Sequence, residues 1–159
     1  MRIQGRASLI IALINKYGYR NIAEVGVCRG DTAIPVLESC ELDLYCAIDK
    51  AFHPSFLERV VHQQYPALRM YAMTSVQADA ELDREFDLVF IDATHSEESV
   101  REDIKLWAPK VRSGGIVCGH DYNNKRFPGV KLAVDEYFGE ENIEMAPVRA
   151  CYVWIYMVP

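Results

Sequence analysis

The segment at residues 21–32, NIAEVGVCRGDT, has the residue types of a ligand-binding loop. It begins as a short apolar run with one acid, Glu24, and the run stops at Gly26, four residues before Gly30. A helical pattern of apolar residues follows Thr32. A buried strand that leads through a glycine loop into a helix aims backbone N–H groups and a helix dipole at one point. This segment predicts a site for a carboxylate or phosphate, and Glu24 indicates a cation or a row of hydroxyls there.

The pattern Glu24-x-Gly26-x-x-x-Gly30 resembles motif I of the class I S-adenosylmethionine-dependent methyltransferases. Two later stretches, residues 86–122 and 127–139, extend the resemblance in the same order. Together they are similar to the small catechol-type and macrocin-type O-methyltransferases, many of which depend on a metal. The resemblance implies an enzyme that binds S-adenosyl-L-methionine and methylates a hydroxyl of a small molecule such as a sugar, a phenol or another metabolite.

Binding of the methyl donor is assigned mainly to the first half of the chain. Asp49 ends the second predicted strand, about 20 residues past the loop, where folds of this type bind the two hydroxyls of a ribose. In the methyltransferases that this chain resembles, the loop after the third strand contacts adenine, which makes Ser75 a candidate. The alternatives are a plain turn acid at Asp49 and a helix N-cap at Ser75. The predicted donor-binding residues are Glu24, Gly26, Cys28, Gly30, Asp31, Thr32, Asp49, Ser75 and Asp92.

Acids also stand at the ends of two later predicted strands. Asp92 follows the apolar run 86–91, and His120 and Asp121 follow the next strand. If those strands are neighbours, their backbones lie about 5 Å apart, so one divalent ion can bridge both carboxylates. The resemblance implies an acid after the fourth strand and a pair of Asp or Asp-Asn residues after the fifth, and His120 replaces one member of that pair. We predict Mg²⁺ or Mn²⁺ at Asp92, His120 and Asp121, with capping of helices and loops by the two acids as the alternative.

His95 is the predicted general base, and Asp92 shares the catalytic assignment. His95 follows Asp92 by three positions, where the resemblance places the catalytic lysine of metal-dependent enzymes. An imidazole can remove a hydroxyl proton at neutral pH, and more readily if a metal has already acidified that hydroxyl. The alternative is that His95 only caps the helix that begins near Ser96.

Two other functions stay open. A dinucleotide-dependent oxidoreductase would use a similar loop, but Gly26-x-x-x-Gly30 lacks the closely spaced first glycine pair of that fingerprint. A non-catalytic protein with this fold would bind the nucleoside or a partner protein without turnover. No segment resembles a separate substrate lid, so acceptor recognition would fall to the loops at 50–55, 93–97 and 121–129, or to another subunit.

The composition favours one domain over residues 1–159, because half of the residues are hydrophobic and a quarter are charged. The net charge of −6, without a run of lysines or arginines, argues against nucleic-acid substrates. The sequence contains neither an apolar run of membrane-spanning length nor a cleaved signal, which predicts a cytoplasmic protein. There is no CxxC pair, so we expect reduced and mostly buried thiols, with the loop residue Cys28 as the exception. The cysteines are Cys28, Cys40, Cys46, Cys118 and Cys151.

The alternation of strand and helix patterns predicts a single Rossmann-like α/β domain. We expect a doubly wound, seven-stranded, mostly parallel sheet that ends in an antiparallel hairpin. The predicted strands are 21–25, 42–48, 68–73, 86–91, 116–119, 143–146 and 151–158. The predicted helices are 7–17, 32–39, 54–65, 77–82, 97–112 and 130–138. Tyr152, Trp154 and Tyr156 in the last strand indicate either an edge that pairs in a homo-oligomer or a hairpin within one chain.

Overall fold

The computed structural model describes residues 5–146 and 152–159, in which helices and strands alternate. The strands are β1 (Asn21–Val25), β2 (Leu44–Asp49), β3 (Leu68–Ala72), β4 (Phe86–Ile91), β5 (Val111–Gly119), β6 (Glu144–Met145) and β7 (Trp154–Met157). The α-helices are α1 (Arg6–Tyr17), α2 (Ala33–Ser39), α3 (Pro54–Gln63), α4 (Ser75–Glu81), α5 (Glu97–Trp107) and α6 (Pro128–Phe138). Short 3-10 helices cover Ala108–Lys110 and Glu140–Asn142.

The strands form one sheet in the order β3-β2-β1-β4-β5-β7-β6. β1 to β5 are parallel, and β7 runs antiparallel to both β5 and β6. The predicted fold class is therefore confirmed, although Cys151, the first residue of the last predicted strand, lies outside the described residues. The sheet grows from β1 toward β3 on one side and from β4 toward β6 on the other. The crevice above β1 and β4 is thus the point where chain order reverses, which is where such sheets bind ligands.

Helices cover both faces of the sheet because its central strands are apolar on both sides. In β4, Leu88 and Phe90 pack into the cluster that includes α1, α2 and α3, whereas Val89 and Ile91 pack into the cluster that includes α4, α5 and α6. Parallel strands buried on both faces are typically continuous apolar runs. This packing holds the carboxyl ends of the strands, and the loops that follow them, on a buried base.

Two predicted helices extend at least two residues past the observed C-terminal end, and a proline explains each difference. The α5 helix stops at Trp107 and continues as a 3-10 helix, because Pro109 has no N–H for the α-helical hydrogen bond. The chain is then free to begin β5 at Val111, five residues before the predicted start of that strand. Helix α3 ends at Gln63 because Pro66 disfavours the helical conformation in the residue before it.

The aromatic side chains of the last strand are mostly used within the chain. The rings of Trp154 and Tyr156 pack against Phe138 of α6, with centroid distances of 5.7 and 4.3 Å. Tyr152 remains exposed. The hairpin interpretation accounts for these contacts, and the oligomeric state stays a prediction.

The cysteines of the described residues are all free, as predicted. Cys46 and Cys118 are buried, Cys40 is half-buried and Cys28 is exposed in the glycine loop. None of the helices in residues 5–146 and 152–159 is long and apolar enough to cross a membrane.

Candidate active site

A cavity of about 390 Å³ opens at the carboxyl ends of the strands, where chain order reverses. Its wall includes Gly26 after β1, Asp49 at the end of β2 and Asp92 after β4. Its wall also includes Ser75 at the start of α4 and Asp103 on α5. The cavity therefore occupies the place where open α/β sheets bind their ligands.

Two glycines shape the loop above β1. Gly26 has a φ of +93° and Gly30 a φ of +78°, a region that other residues rarely adopt. A Cβ at Gly26 would lie 2.5 Å from Cα of Ala93, and a Cβ at Gly30 would lie 3.0 Å from Cε2 of Phe56. Both positions thus need glycine for its conformation and for its lack of a side chain.

The carboxylate of Asp49 holds this loop in place. Its Oδ2 accepts hydrogen bonds from the backbone N–H groups of Val27 and Cys28, at 2.9 and 2.8 Å. Its Oδ1 accepts a third bond from the N–H of Ala51, at 3.1 Å. A plain turn acid would explain only the bond with Ala51, which closely follows Asp49 in the chain. The bonds with Val27 and Cys28 connect the end of β2 to the loop after β1, so that alternative does not explain them.

Arg6 of α1 reaches the same region from the amino-terminal end of the helix. Its Nε donates to Oγ1 of the buried Thr32 at 3.0 Å. Its Nη1 lies 3.6 Å from Oδ2 of Asp92, and its Nη2 lies 3.9 Å from Oδ2 of Asp31. One guanidinium therefore connects the start of α2 with the acid after β4.

Glu24 lies below the loop with its side chain buried. The Tyr45 hydroxyl donates a hydrogen bond to its Oε2 at 2.5 Å. Burial raises the pKa of Glu24 from 4.5 to about 8, the Tyr45 hydrogen bond and Arg6 oppose this rise, and the charge of Asp92 adds to it. The protonated form of this carboxyl is therefore favoured in the folded protein.

We expect Glu24→Gln to remove a pH-dependent part of the protein's stability. Because the folded pKa lies above the unfolded one, the folded protein retains a proton that the unfolded chain releases as pH rises from 4.5 to about 8. The free energy of unfolding should fall across this range by up to about 1.4 kcal/mol per pH unit. Urea unfolding between pH 5 and pH 8 measures this slope. Identical pH dependences for wild type and variant would contradict the shifted pKa.

Two acids and two histidines cluster between the ends of β4 and β5. One ligand atom from each of Asp92, His95 and Asp121 lies within 4.8 Å of the others. Nε2 of His95 is 3.5 Å from Oδ2 of Asp121, and Nδ1 of His120 is 3.1 Å from the same oxygen. His120 Nδ1 also lies 3.8 Å from Oδ1 of Asp92. His120 thus lies close to both acids, but the three side chains whose ligand atoms all lie within 4.8 Å of one another include His95 in the place predicted for His120.

The surroundings fix the orientation of this cluster. Asp121 is buried at a φ of +63°, and Nδ2 of Asn124 donates to its Oδ1 at 2.6 Å. The ring of His95 packs on the ring of Phe127 with a centroid distance of 4.5 Å. Burial raises the pKa of Asp92, while the positive charge of Arg6 and the nearby imidazoles oppose that rise.

A sequence profile of the family described as "Methyltransferase domain" matches residues 23–122. The match begins in β1 and spans the glycine loop, Asp49, Asp92 and Asp121 in order. The chain belongs to this methyltransferase family. Its membership confirms the resemblance to the class I S-adenosylmethionine-dependent methyltransferases. No curated protein sequence matches the chain significantly.

Solved structures of other methyltransferases share the fold at low sequence identity. The O-methyltransferase TomG from Streptomyces achromogenes, in complex with S-adenosylmethionine, has a TM-score of 0.73 at 15% identity, over 95% of this chain and 78% of that one. A Bacillus cereus O-methyltransferase in complex with S-adenosylhomocysteine has a TM-score of 0.67 at 15% identity, over 94% and 79% of the chains. An rRNA methylase from Streptococcus thermophilus has a TM-score of 0.72 at 9% identity, over 99% and 100%. Such likeness shows the fold alone.

The cavity of this methyltransferase collects part of the predicted donor-binding set. The members in its wall are Gly26, Cys28, Asp49, Ser75 and Asp92. The members outside its wall are Glu24, Gly30, Asp31 and Thr32. The roles of all nine toward a bound donor stay predictions.

Two of the capping alternatives are wrong. Thr74, and not Ser75, is the N-cap of α4, and its side chain accepts from the N–H of Gln77. Ser96, and not His95, is the N-cap of α5. Ser75 and His95 are therefore free to face the methyltransferase cavity and the acid cluster.

Sequence reasoning missed Arg6 and Asp103. Arg6 carries no signal of its own, because its partners follow it by about 25 residues or more along the chain and meet it only in the folded methyltransferase. Asp103 does carry one, since it lies on the same helical stripe as Val100, Ile104 and Trp107. An acid within an apolar stripe is a buried polar group that needs an explanation.

Proposed function

We propose that the chain transfers a methyl group from S-adenosylmethionine to a hydroxyl oxygen of a small molecule. The observation that carries the proposal is the position of Asp92, which lines the cavity and also belongs to the cluster with His95 and Asp121. Family membership supplies the reaction class. The cluster supplies groups that can orient and deprotonate a hydroxyl at the edge of the donor cavity.

The residues of the cluster fit a divalent cation. Carboxylates suit Mg²⁺ and Mn²⁺, and an imidazole nitrogen is an acceptable ligand for Mn²⁺. We propose that Asp92 and Asp121 are ligands of this cation. Nδ1 of His120 lies beside them, 3.8 Å from Oδ1 of Asp92 and 3.1 Å from Oδ2 of Asp121. A bound cation would lower the pKa of the acceptor hydroxyl. Arg6 lies 3.6 Å from Asp92 and compensates part of the negative charge of the cluster.

His95 is the proposed general base for the acceptor hydroxyl. Phe127 supports one face of its ring, and the carboxylate of Asp121 lies beside Nε2. A neighbouring carboxylate stabilises the imidazolium that forms when the ring takes the proton. As His95 takes this proton, the hydroxyl oxygen bonds to the methyl carbon and the carbon–sulfur bond breaks, which leaves S-adenosylhomocysteine.

A small-molecule acceptor agrees with the charge of the chain. The net charge of −6 would repel the phosphates of a nucleic acid, whose attraction to lysine and arginine provides most non-specific binding energy. The rRNA methylase fold neighbour does not weigh against this proposal, because the likeness at 9% identity concerns the fold.

Calorimetric titration of the metal-stripped protein with S-adenosylhomocysteine tests the proposed function. We expect binding at micromolar affinity or tighter, and a further heat when Mg²⁺ or Mn²⁺ is added. Asp92→Ala and Asp121→Ala should each abolish the heat of cation binding. As a charge-matched control, Asp83→Asn in the exposed loop before β4 should leave both heats unchanged. Absence of nucleoside binding would overturn the methyltransferase proposal and favour a partner-binding role.

A further inference from the structure

The two carboxylate oxygens of Asp121 have different neighbours. Oδ2 faces the cluster, 3.5 Å from Nε2 of His95 and 3.1 Å from Nδ1 of His120. Oδ1 instead accepts a hydrogen bond from Nδ2 of Asn124, with a donor–acceptor distance of 2.6 Å. The carboxylate of Asp121 therefore has one oxygen in the cluster and one oxygen bound to the loop that follows it.

Arg126 fixes the orientation of the Asn124 amide. The backbone N–H of Arg126 donates to Oδ1 of Asn124 at 3.0 Å, so the other end of the amide is its NH₂ group. An amide turned by half a rotation would place its oxygen against the Asp121 carboxylate and its NH₂ group against the N–H of Arg126. Both hydrogen bonds would then be lost. Asn124 is thus a donor to Asp121.

The backbone of Asn124 also binds within this loop. Its N–H donates to the carbonyl oxygen of Asp121 at 3.2 Å, and its carbonyl oxygen accepts from the N–H of Phe127 at 2.9 Å. Phe127 in turn packs on the ring of His95. Asn124 therefore connects the buried acid of the cluster to the ring that supports the proposed general base.

The number of ligand oxygens on one carboxylate affects which cation a site prefers. Ca²⁺ takes about six to eight oxygen ligands and often binds both oxygens of a carboxylate, whereas Mg²⁺ and Mn²⁺ favour octahedral sites. For Asp121 to bind a cation through both oxygens, its carboxylate would have to turn Oδ1 toward the cluster. That rotation breaks the hydrogen bond from Asn124. With this bond in place, Asp121 provides one ligand oxygen.

We infer that Asn124 is a positioning residue that restricts Asp121 to one ligand oxygen and so makes the cluster select Mn²⁺ over Ca²⁺. The inference rests on the cation site of the proposed function. Without the amide of Asn124, Asp121 loses the orientation that an octahedral cation requires. It also gains the freedom to bind through both oxygens, which favours Ca²⁺.

Calorimetric titrations with Mn²⁺ and with Ca²⁺ test the inference through the ratio of the two affinities. We expect the wild-type protein to prefer Mn²⁺. Asn124→Ala should lower the affinity for Mn²⁺ by about tenfold, a usual loss for a residue that orients a metal ligand. The affinity for Ca²⁺ should stay the same or rise, because Asp121 can then bind it through both oxygens. The preference for Mn²⁺ should therefore fall by about tenfold or more.

Asn124→Asp separates the bond to Asp121 from the order of the loop. The new carboxylate can still accept the hydrogen bond from the N–H of Arg126, but it has no N–H to donate to Asp121. We expect the same fall in the preference for Mn²⁺. This variant decides the result if Asn124→Ala fails to fold. Asn123→Ala is the matched control in the same loop, and this exposed position should keep the wild-type ratio.

The outcomes distinguish a positioning role from a merely structural one. If Asn124 only ordered the loop, its replacement would lower both affinities in parallel and the ratio would not change. An unchanged ratio in both Asn124 variants, or a wild-type protein that prefers Ca²⁺, would overturn the inference alone. A wild-type protein that binds neither cation would overturn the proposed cation site as well. Titration of the same sample with S-adenosylhomocysteine tests the methyl-donor proposal separately.

Discussion

Replacing His95 with alanine should reduce methyl transfer by about 10² to 10⁴-fold, the usual contribution of a positioned general base. The reason is that Nε2 of His95 lies 3.5 Å from Oδ2 of Asp121, in the cluster that shares Asp92 with the cavity wall. The loss should fall on the chemical step. Single-turnover methylation of a library of small hydroxyl compounds, with radiolabelled donor, measures this rate directly. Turnover by the variant at the wild-type rate would contradict the assignment.

Measurements of ligand affinity distinguish the two possible roles of His95, general base or ligand of the cation. If His95 acts as a base, His95→Ala should leave the affinity for S-adenosylhomocysteine and for Mn²⁺ unchanged. A fall in Mn²⁺ affinity would instead assign His95 to the cation, in place of the predicted His120. His62→Ala is the matched control, because His62 is an exposed histidine on α3.

Replacing Gly26 with alanine should destabilise the protein by about 2 to 4 kcal/mol, which combines backbone strain with a steric clash. The new Cβ would lie 2.5 Å from Cα of Ala93, a backbone atom in the loop that directly follows β4, so that loop would have to shift. Donor binding should weaken as well, because both residues belong to the cavity wall. Urea unfolding and titration with S-adenosylhomocysteine measure the two effects.

Gly18→Ala provides the control for backbone strain alone. Gly18 has a φ of +68° at the end of α1, but a Cβ there would meet no atom within 4 Å. We expect this variant to lose only about 1 kcal/mol and to bind the donor normally. Equal destabilisation by the two variants would contradict the steric part of the explanation for Gly26.

The sequence predicted the strands and loops that depend on a short stretch of neighbouring residues. The apolar runs at 21–25 and 86–91 are buried on both faces, so their bounds match β1 and β4. The glycine loop was predicted from the spacing of Gly26 and Gly30, and the structure shows that both have positive φ. The predicted α5 extends past its observed end at Trp107. The prediction followed the apolar helical pattern as far as Val111 and did not take into account that Pro109 interrupts the helix.

The site was predicted where it depends on strand ends and missed where it depends on packing between distant elements. Asp92 and Asp121 come together because β4 and β5 are neighbours. The approach of His95 to Asp121 depends on the contact with Phe127, which no local pattern reveals. Arg6 and Asp103 reach the site from helices, so their contribution appears only after those helices are docked on the sheet.

The hydrogen bonds from Val27 and Cys28 to Asp49 have a consequence for dynamics. These two amides are already bonded in the free protein, so the loop is ordered during folding rather than when a ligand arrives. Their hydrogens should exchange slowly with solvent before any donor is added, although Cys28 is exposed. Donor binding should then change their exchange rates little, and association should proceed without a slow ordering phase.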